Sequence, residues 1–130
     1  MKILLTDDMV SMRHILLHML RNLGYTDIDE AVDGDQAFTM LHQKQYDLLI
    51  TDLYMPKLNG KQLLNQIRND PKLSQLPVLM VTCEDEKATI EEIIASKVTG
   101  FIIKPFNIRT LKKHLHWINH PGPNSIPIEC

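Results

Sequence analysis

The order of apolar and polar residues along the chain is the feature that most limits its fold. Five short apolar runs alternate with five longer segments in which apolar residues recur at helical spacing, a pattern typical of a repeated strand–helix unit. The predicted strands are Ile3 to Thr6, Asp27 to Ala31, Leu48 to Thr51, Val78 to Val81 and Phe101 to Ile103. Four of them are almost wholly aliphatic, as expected where helices cover both faces of a parallel sheet. The second is polar at alternate positions, which indicates an edge strand.

The segments between and after these strands predict five helices. The first carries an apolar stripe from Met12 to Leu23 and stops at Gly24. The others are predicted at Gly34 to Gln43, Gly60 to Asn69, Glu84 to Lys97 and Asn107 to Ile118. Because parallel strands joined by helices need right-handed crossovers, we expect a three-layer α/β sandwich. Residues 119–130 contain three prolines and no periodicity, so we predict one domain over residues 1–118 and a C-terminal tail over residues 119–130.

Composition argues against several classes of function. A net charge of -2 gives the chain no general attraction for nucleic acid or anionic lipid, so direct nucleic-acid binding is not expected. No segment approaches the roughly 20 apolar residues that cross a bilayer, so membrane insertion is not expected either. Cys83 and Cys130 are too few for a disulfide framework or a thiolate zinc site. We therefore expect a reducing, cytoplasmic setting.

Polar side chains follow the inner strands at the points where these strands end. Asp7 and Asp8 follow the first strand, Asp52 the third, Thr82 the fourth and Lys104 the fifth. Ligands of such sheets bind beyond the carboxyl ends of the strands, so we expect these side chains to converge. Three carboxylates brought together repel one another unless a cation neutralises them. Hard oxygen ligands without His or Cys favour Mg²⁺ over zinc.

This combination predicts phosphoryl transfer to a carboxylate. A carboxylate beside Mg²⁺ can attack phosphorus, because the metal and a lysine offset the charge on the phosphoryl oxygens. Asp52 is the better nucleophile candidate because it stands alone on the central strand, whereas Asp7 and Asp8 form a metal platform. Taken singly, each aspartate could equally be a helix cap or turn residue, and Thr82 and Lys104 could be ordinary strand-end residues. The joint pattern favours the functional interpretation.

The same residues carry a family resemblance. Together with Asp52-Leu53-Tyr54-Met55-Pro56, Asn59-Gly60 and Lys104-Pro105, they resemble the motifs of the response-regulator receiver family, closest to its stand-alone chemotaxis members, over about residues 2–118. The resemblance implies a flavodoxin-like (βα)5 fold whose five-stranded parallel sheet has the order 2-1-3-4-5. It also implies a two-component signalling protein, not a dedicated enzyme, that a histidine kinase or phosphotransfer protein phosphorylates.

The resemblance implies a role for each matching residue at the strand ends. Asp52 would be the phosphoacceptor. Asp8 and Asp52, with the backbone carbonyl of Tyr54, would ligate Mg²⁺, and Asp7 would act through a metal-bound water. Lys104 would hold the phosphoryl group, and its bond to the following proline would be cis.

The resemblance also implies a conformational switch. Thr82 would move toward the new phosphoryl oxygen, and Phe101 would turn inward with it, although Phe101 could also be a plain core residue of the fifth strand. The change would alter the surface formed by the fourth helix, fifth strand and fifth helix, where a downstream target protein would bind. In this family the residues at Tyr54 and Glu84 influence how long the phosphoryl group survives.

Two other functions compete with this interpretation. One is an aspartate-nucleophile phosphohydrolase, which usually carries a second carboxylate two residues after the nucleophile; Tyr54 occupies that place here. The other is a phosphorylation-independent receiver that only binds a partner, which the complete residue set argues against. Phosphorylation of Asp52 followed by autodephosphorylation remains the favoured hypothesis.

Overall fold

The computed structural model describes residues 1–120 and the backbone of residues 128–129. Its first five strands are β1 (Ile3–Thr6), β2 (Ile28–Ala31), β3 (Leu48–Thr51), β4 (Val78–Thr82) and β5 (Gly100–Ile103). Its helices are α1 (Val10–Asn22), α2 (Gly34–Gln43), α3 (Gly60–Asn69), α4 (Lys87–Ala95) and α5 (Ile108–Asn119). The predicted repeat of five strand–helix units is confirmed.

The five strands form a parallel sheet in the order β2-β1-β3-β4-β5. This confirms the order that the resemblance implied and places the polar second strand at an edge. A two-residue strand, β6 (Ile128–Glu129), pairs in parallel with β5; the sequence did not predict it. The rest of the predicted tail beyond His120 lies outside the described residues, so the division into residues 1–118 and 119–130 stays a prediction.

Two separate apolar cores fix the sheet between its helices. The core on the side of α1 and α5 includes Ile3, Leu5, Leu16, Leu20, Ile50, Val81, Ile102 and Leu115. The core on the side of α2, α3 and α4 includes Leu4, Ala37, Leu49, Leu63, Ile67, Met80, Ile93 and Phe101. Successive strand residues alternate between the two cores, because neighbouring side chains of a strand point to opposite faces. The result is the predicted three-layer sandwich.

Several predicted boundaries were wrong by one residue, and one helix was predicted too long. Strand β2 begins at residue 28, β4 extends to Thr82, β5 begins at residue 100, and α5 is shifted by one residue because Asn107 caps it. Helix α4 starts at residue 87, not at Glu84, because the Glu84 carboxylate accepts the backbone amides of Asp85 and Glu86 and holds a turn. It ends before Lys97, whose φ of 66° lies in the left-handed region.

A close backbone contact positions the end of β3. Helix α3 begins at Gly60 with a capping box between Asn59 and Gln62. The Gly60 amide donates to the Leu53 carbonyl at 2.7 Å. A Cβ on residue 60 would stand 2.3 Å from the Asp52 carbonyl oxygen, so only glycine allows the approach. This contact fixes the backbone that carries Asp52.

Candidate functional site

Three carboxylates meet at the carboxyl edge of the sheet. Asp7 and Asp8 follow β1 and Asp52 follows β3, and these strands are hydrogen-bonded neighbours. Each residue offers an oxygen that lies within 4.8 Å of the others. Asp7 is 1% and Asp52 8% exposed, whereas Asp8 is open to solvent. An ion could therefore reach the cluster from the side of Asp8.

Lys104 joins this cluster from the end of β5. Its Nζ lies 3.5 Å from Asp7 Oδ2 and 3.6 Å from Asp52 Oδ2, and its side chain is 7% exposed. Its backbone amide donates to the Thr82 carbonyl at 2.8 Å, which ties the ends of β4 and β5 together. The Lys104–Pro105 peptide bond is cis, as the resemblance implied.

Asp7 sits in conflicting electrostatic surroundings. Burial raises the pKa of its carboxyl, while the Met9 amide, which donates to Oδ1 at 2.9 Å, and the Lys104 ammonium lower that pKa; the nearby Asp52 raises it further. The net shift is upward. Asp7 is not the N-cap of α1, which is Met9 without a side-chain cap, but its bond to the Met9 amide stabilises the turn before the helix. An ordinary turn role of this aspartate therefore holds beside the functional one. A bound cation would favour the ionised form of Asp7.

Thr82 and Phe101 lie deeper than the charged residues. Thr82, at the end of β4, is fully buried, and its hydroxyl accepts the Glu84 amide at 3.4 Å. Phe101 is also fully buried; it lies opposite Met80 in the β4–β5 register and in the same apolar core as Ile93 of α4. This packing suits a core residue as well as a switch, so the switch role stays a prediction.

Tyr54 and Glu84 form a bridge beside the carboxylates. The Tyr54 hydroxyl donates to Glu84 Oε1 at 2.5 Å, which joins the loops that follow β3 and β4. The hydrogen bond raises the pKa of Tyr54 to about 12 and lowers the pKa of Glu84. Tyr54 is 57% exposed. Both residues were identified from the sequence, but their contact was not predicted. The role of the Tyr54 backbone carbonyl as a Mg²⁺ ligand stays a prediction.

Two residues that support the cluster, Arg13 and Glu30, were not predicted from the sequence. Arg13 of α1 donates from Nη1 to the Asp7 carbonyl at 2.7 Å and from Nε to Glu30 Oε1 at 2.9 Å. Arg13 is only 8% exposed. The signal that could have found it is its place on the apolar face of the first helix, three residues before Leu16, where a charged side chain needs a buried partner.

The donor set suits a hard divalent cation. Asp7, Asp8 and Asp52 supply carboxylate oxygens close to one another, and such oxygens without soft ligands are typical of Mg²⁺ sites. Lys104 leaves the three carboxylates with an excess of negative charge, which such a cation would offset.

Within residues 1–120, no helix is long and apolar enough to cross a membrane.

Sequence comparison identifies the class of protein. Residues 3–116 match the response regulator receiver domain family, and the chain belongs to that family. It is a receiver domain of two-component signalling.

One curated relative and two solved structures show which receiver domains this chain is similar to. The chain is 44% identical to the chemotaxis protein CheY of Pseudomonas aeruginosa over 118 residues, which cover 91% of this chain and 95% of that protein. The high-resolution structure of the chemotaxis response regulator CheY4 of Vibrio cholerae has a TM-score of 0.82 at 32% identity, covering 90% of this chain and 97% of that one. The receiver domain of a sensor histidine kinase of Pseudomonas aeruginosa, with magnesium coordinated in its active site cleft, has a TM-score of 0.81 at 26% identity and covers 91% of this chain and 97% of that one.

Replacing Asp7 by Asn tests the electrostatic conflict in this site. Because burial raises the Asp7 pKa, the ionised carboxyl destabilises the fold at neutral pH. We expect Asp7→Asn to raise the free energy of unfolding by about 1 kcal/mol at pH 7 without divalent cations, measured by urea denaturation. The gain should disappear as the pH falls through the raised Asp7 pKa, where the wild-type carboxyl is protonated in the folded protein. Asp85→Asn, an exposed loop control, should show no such gain; a destabilised Asp7→Asn at pH 7 would contradict this account.

Replacing Glu84 by Gln tests the bridge to Tyr54. Ionising the Tyr54 phenol places a second negative charge beside the Glu84 carboxylate, which holds the phenol pKa at about 12. In Glu84→Gln we expect the Tyr54 pKa to fall toward its ordinary value of 10.0, followed by the ring signals of Tyr54 in an NMR titration. Glu91→Gln, an exposed substitution in α4, should leave the Tyr54 pKa high. An unchanged Tyr54 pKa in Glu84→Gln would mean that the bridge does not form in solution.

Proposed function

We propose that this receiver domain accepts a phosphoryl group on Asp52 in a Mg²⁺-dependent reaction. One observation carries the proposal: the Lys104 ammonium lies between Asp52 and Asp7, at 3.6 Å and 3.5 Å, beside three clustered carboxylates. The ammonium can hold an anionic group against the Asp52 carboxylate. The phosphohydrolase alternative lacks support, because Tyr54 occupies the position at which such an enzyme carries its second carboxylate. The Tyr54 hydroxyl is instead hydrogen-bonded to Glu84.

In the proposed transfer, a carboxylate oxygen of Asp52 attacks the phosphorus of the donor. The new bond joins this oxygen to phosphorus, and the bond between phosphorus and the donor nitrogen of a phosphohistidine, or the donor oxygen of acetyl phosphate, breaks with its electron pair. The product is an aspartyl phosphate. Lys104 would contact one phosphoryl oxygen and the Thr82 hydroxyl another, which offsets the charge that collects on these oxygens.

Asp8, Asp52 and the Tyr54 carbonyl would hold Mg²⁺, and Asp7 would contact it through a water. The bound ion supplies positive charge that the phosphoryl oxygens and the carboxylates share. Asp8 is exposed and Asp7 is buried, which supports a direct role for the first and an indirect role for the second. The magnesium that the related histidine-kinase receiver domain coordinates in its active site cleft supports the choice of metal.

A histidine kinase or phosphotransfer protein would supply the phosphoryl group, and a target protein would read it at the surface of α4, β5 and α5. Phe101 supports this assignment of the surface, since it lies on β5 and shares an apolar core with Ile93 of α4. A movement of Thr82 toward the phosphoryl group would free space for Phe101 to repack. Attack of water on phosphorus would regenerate Asp52, and the Tyr54–Glu84 bridge lies close enough to Asp52 to influence that step.

Acetyl phosphate tests the proposed acceptor. With Mg²⁺ and acetyl phosphate, we expect intact mass spectrometry to show a single added phosphoryl group on the wild type and none on Asp52→Asn. Chelation of Mg²⁺ should abolish the labelling. The matched control Asp85→Asn, which removes an exposed aspartate of the neighbouring loop, should label as the wild type does. An unlabelled wild type, or undiminished labelling of Asp52→Asn, would overturn the proposal.

A further inference from the structure

Arg13 is a charged side chain on the buried face of α1. It is 8% exposed and shares this face with Leu16, Leu17 and Leu20. Burying a guanidinium among apolar residues is costly unless its donors are satisfied. The partners that satisfy Arg13 therefore indicate what the residue does.

The partners of Arg13 connect three elements at the carboxyl edge. The Arg13 amide donates to the Met9 carbonyl at 3.0 Å, which places the residue one turn into α1. From there its Nη1 reaches the Asp7 carbonyl at 2.7 Å and its Nε reaches Glu30 of β2 at 2.9 Å. The guanidinium thus bridges α1, the end of β2 and the loop after β1.

The Asp7 carbonyl belongs to the peptide plane that Asp7 shares with Asp8. A peptide unit is rigid and planar, so the hydrogen bond from Arg13 orients the whole unit between the two residues. The Asp7 amide is held separately by the Ala31 carbonyl at 3.3 Å, and the Asp7 carboxylate by the Met9 amide at 2.9 Å. Without Arg13, rotation of the Asp7–Asp8 peptide would move the Asp8 carboxylate relative to Asp52.

We propose that Arg13 is a positioning residue for the magnesium site: it holds the Asp7–Asp8 peptide, and Glu30 orients its guanidinium. This inference rests on the proposed function of the carboxylate cluster. It predicts an effect opposite in sign to that of charge alone. A positive charge near the carboxylates repels a cation, so a purely electrostatic Arg13 would weaken Mg²⁺ binding, and its removal would tighten binding. A positioning Arg13 strengthens binding, and its removal weakens it.

Titration calorimetry of Mg²⁺ with the full chain tests whether removal of Arg13 weakens or tightens Mg²⁺ binding. We expect the Kd for Mg²⁺ to rise about 10-fold in Arg13→Met, the typical effect of losing a group that orients a metal ligand. Arg13→Lys keeps the charge but cannot reproduce the rigid fork of donors, so its Kd should rise to a similar extent. Arg21→Met removes the same charge from an exposed position of the same helix and should change the Kd by no more than about twofold, because distant surface charges are screened.

Thermal melts without Mg²⁺ identify which variants are folded. If Arg13→Met does not fold, the Mg²⁺ Kd of Arg13→Lys is compared with that of the wild type. Unchanged or tighter Mg²⁺ binding in the folded Arg13 variant would overturn this inference. The two proposals fail separately. A wild type that neither binds Mg²⁺ nor takes up the phosphoryl group overturns the proposed function, whereas a labelled wild type with Arg13 variants of equal Mg²⁺ affinity overturns only the role of Arg13.

Discussion

The site depends on one electrostatic arrangement, in which the Lys104 ammonium lies beside the carboxylate cluster of Asp7, Asp8 and Asp52. Lys104 reaches Asp7 and Asp52 across strands that are not all neighbours, since β4 separates β5 from β3. These contacts draw the carboxyl ends of three strands toward one point. One positive charge does not neutralise three carboxylates, so the edge of the sheet keeps a local negative charge although the whole chain carries only -2. That excess of negative charge favours a bound cation, which the proposed phosphoryl transfer to Asp52 requires.

The rest of the fold holds this unfavourable cluster in place. Burial raises the pKa of Asp7, so the site costs stability that the two apolar cores must offset. The cores fix the strands, and short backbone contacts fix the loops: Gly60 against Leu53 after β3, and Arg13 against the Asp7 carbonyl after β1. The Tyr54–Glu84 bridge adds a contact between the loops after β3 and β4. Rigid strands and tied loops let like charges remain close enough to act on one ligand.

The sequence predicts the parts of this structure that follow from periodicity and strand-end position. The buried strands and the stripe of α1 are strongly periodic, so their positions were correct within about a residue or two, and the strand-end rule brought Asp52, Asp7 and Lys104 together. The length of α4 was wrong because a side chain, Glu84, holds the preceding turn. The contacts of Arg13 and the strand β6 were missed. The apolar face of the first helix indicates that Arg13 is buried, but the partners of Arg13 and the pairing of β6 depend on which distant segments lie side by side. Neither local pattern nor propensity contains that information.

Identification of the modified residue tests the central claim most directly. Borohydride reduces an aspartyl phosphate to homoserine, which marks the acceptor covalently even if the phosphoryl group is short-lived. After phosphorylation, reduction and proteolysis, peptide sequencing by mass spectrometry should find homoserine at position 52 and at no other aspartate. Homoserine at position 7 or 8 would mean that the roles of metal platform and acceptor are exchanged. Its absence from every peptide of a fully covered chain would contradict the account of Asp52 as the residue that accepts the phosphoryl group.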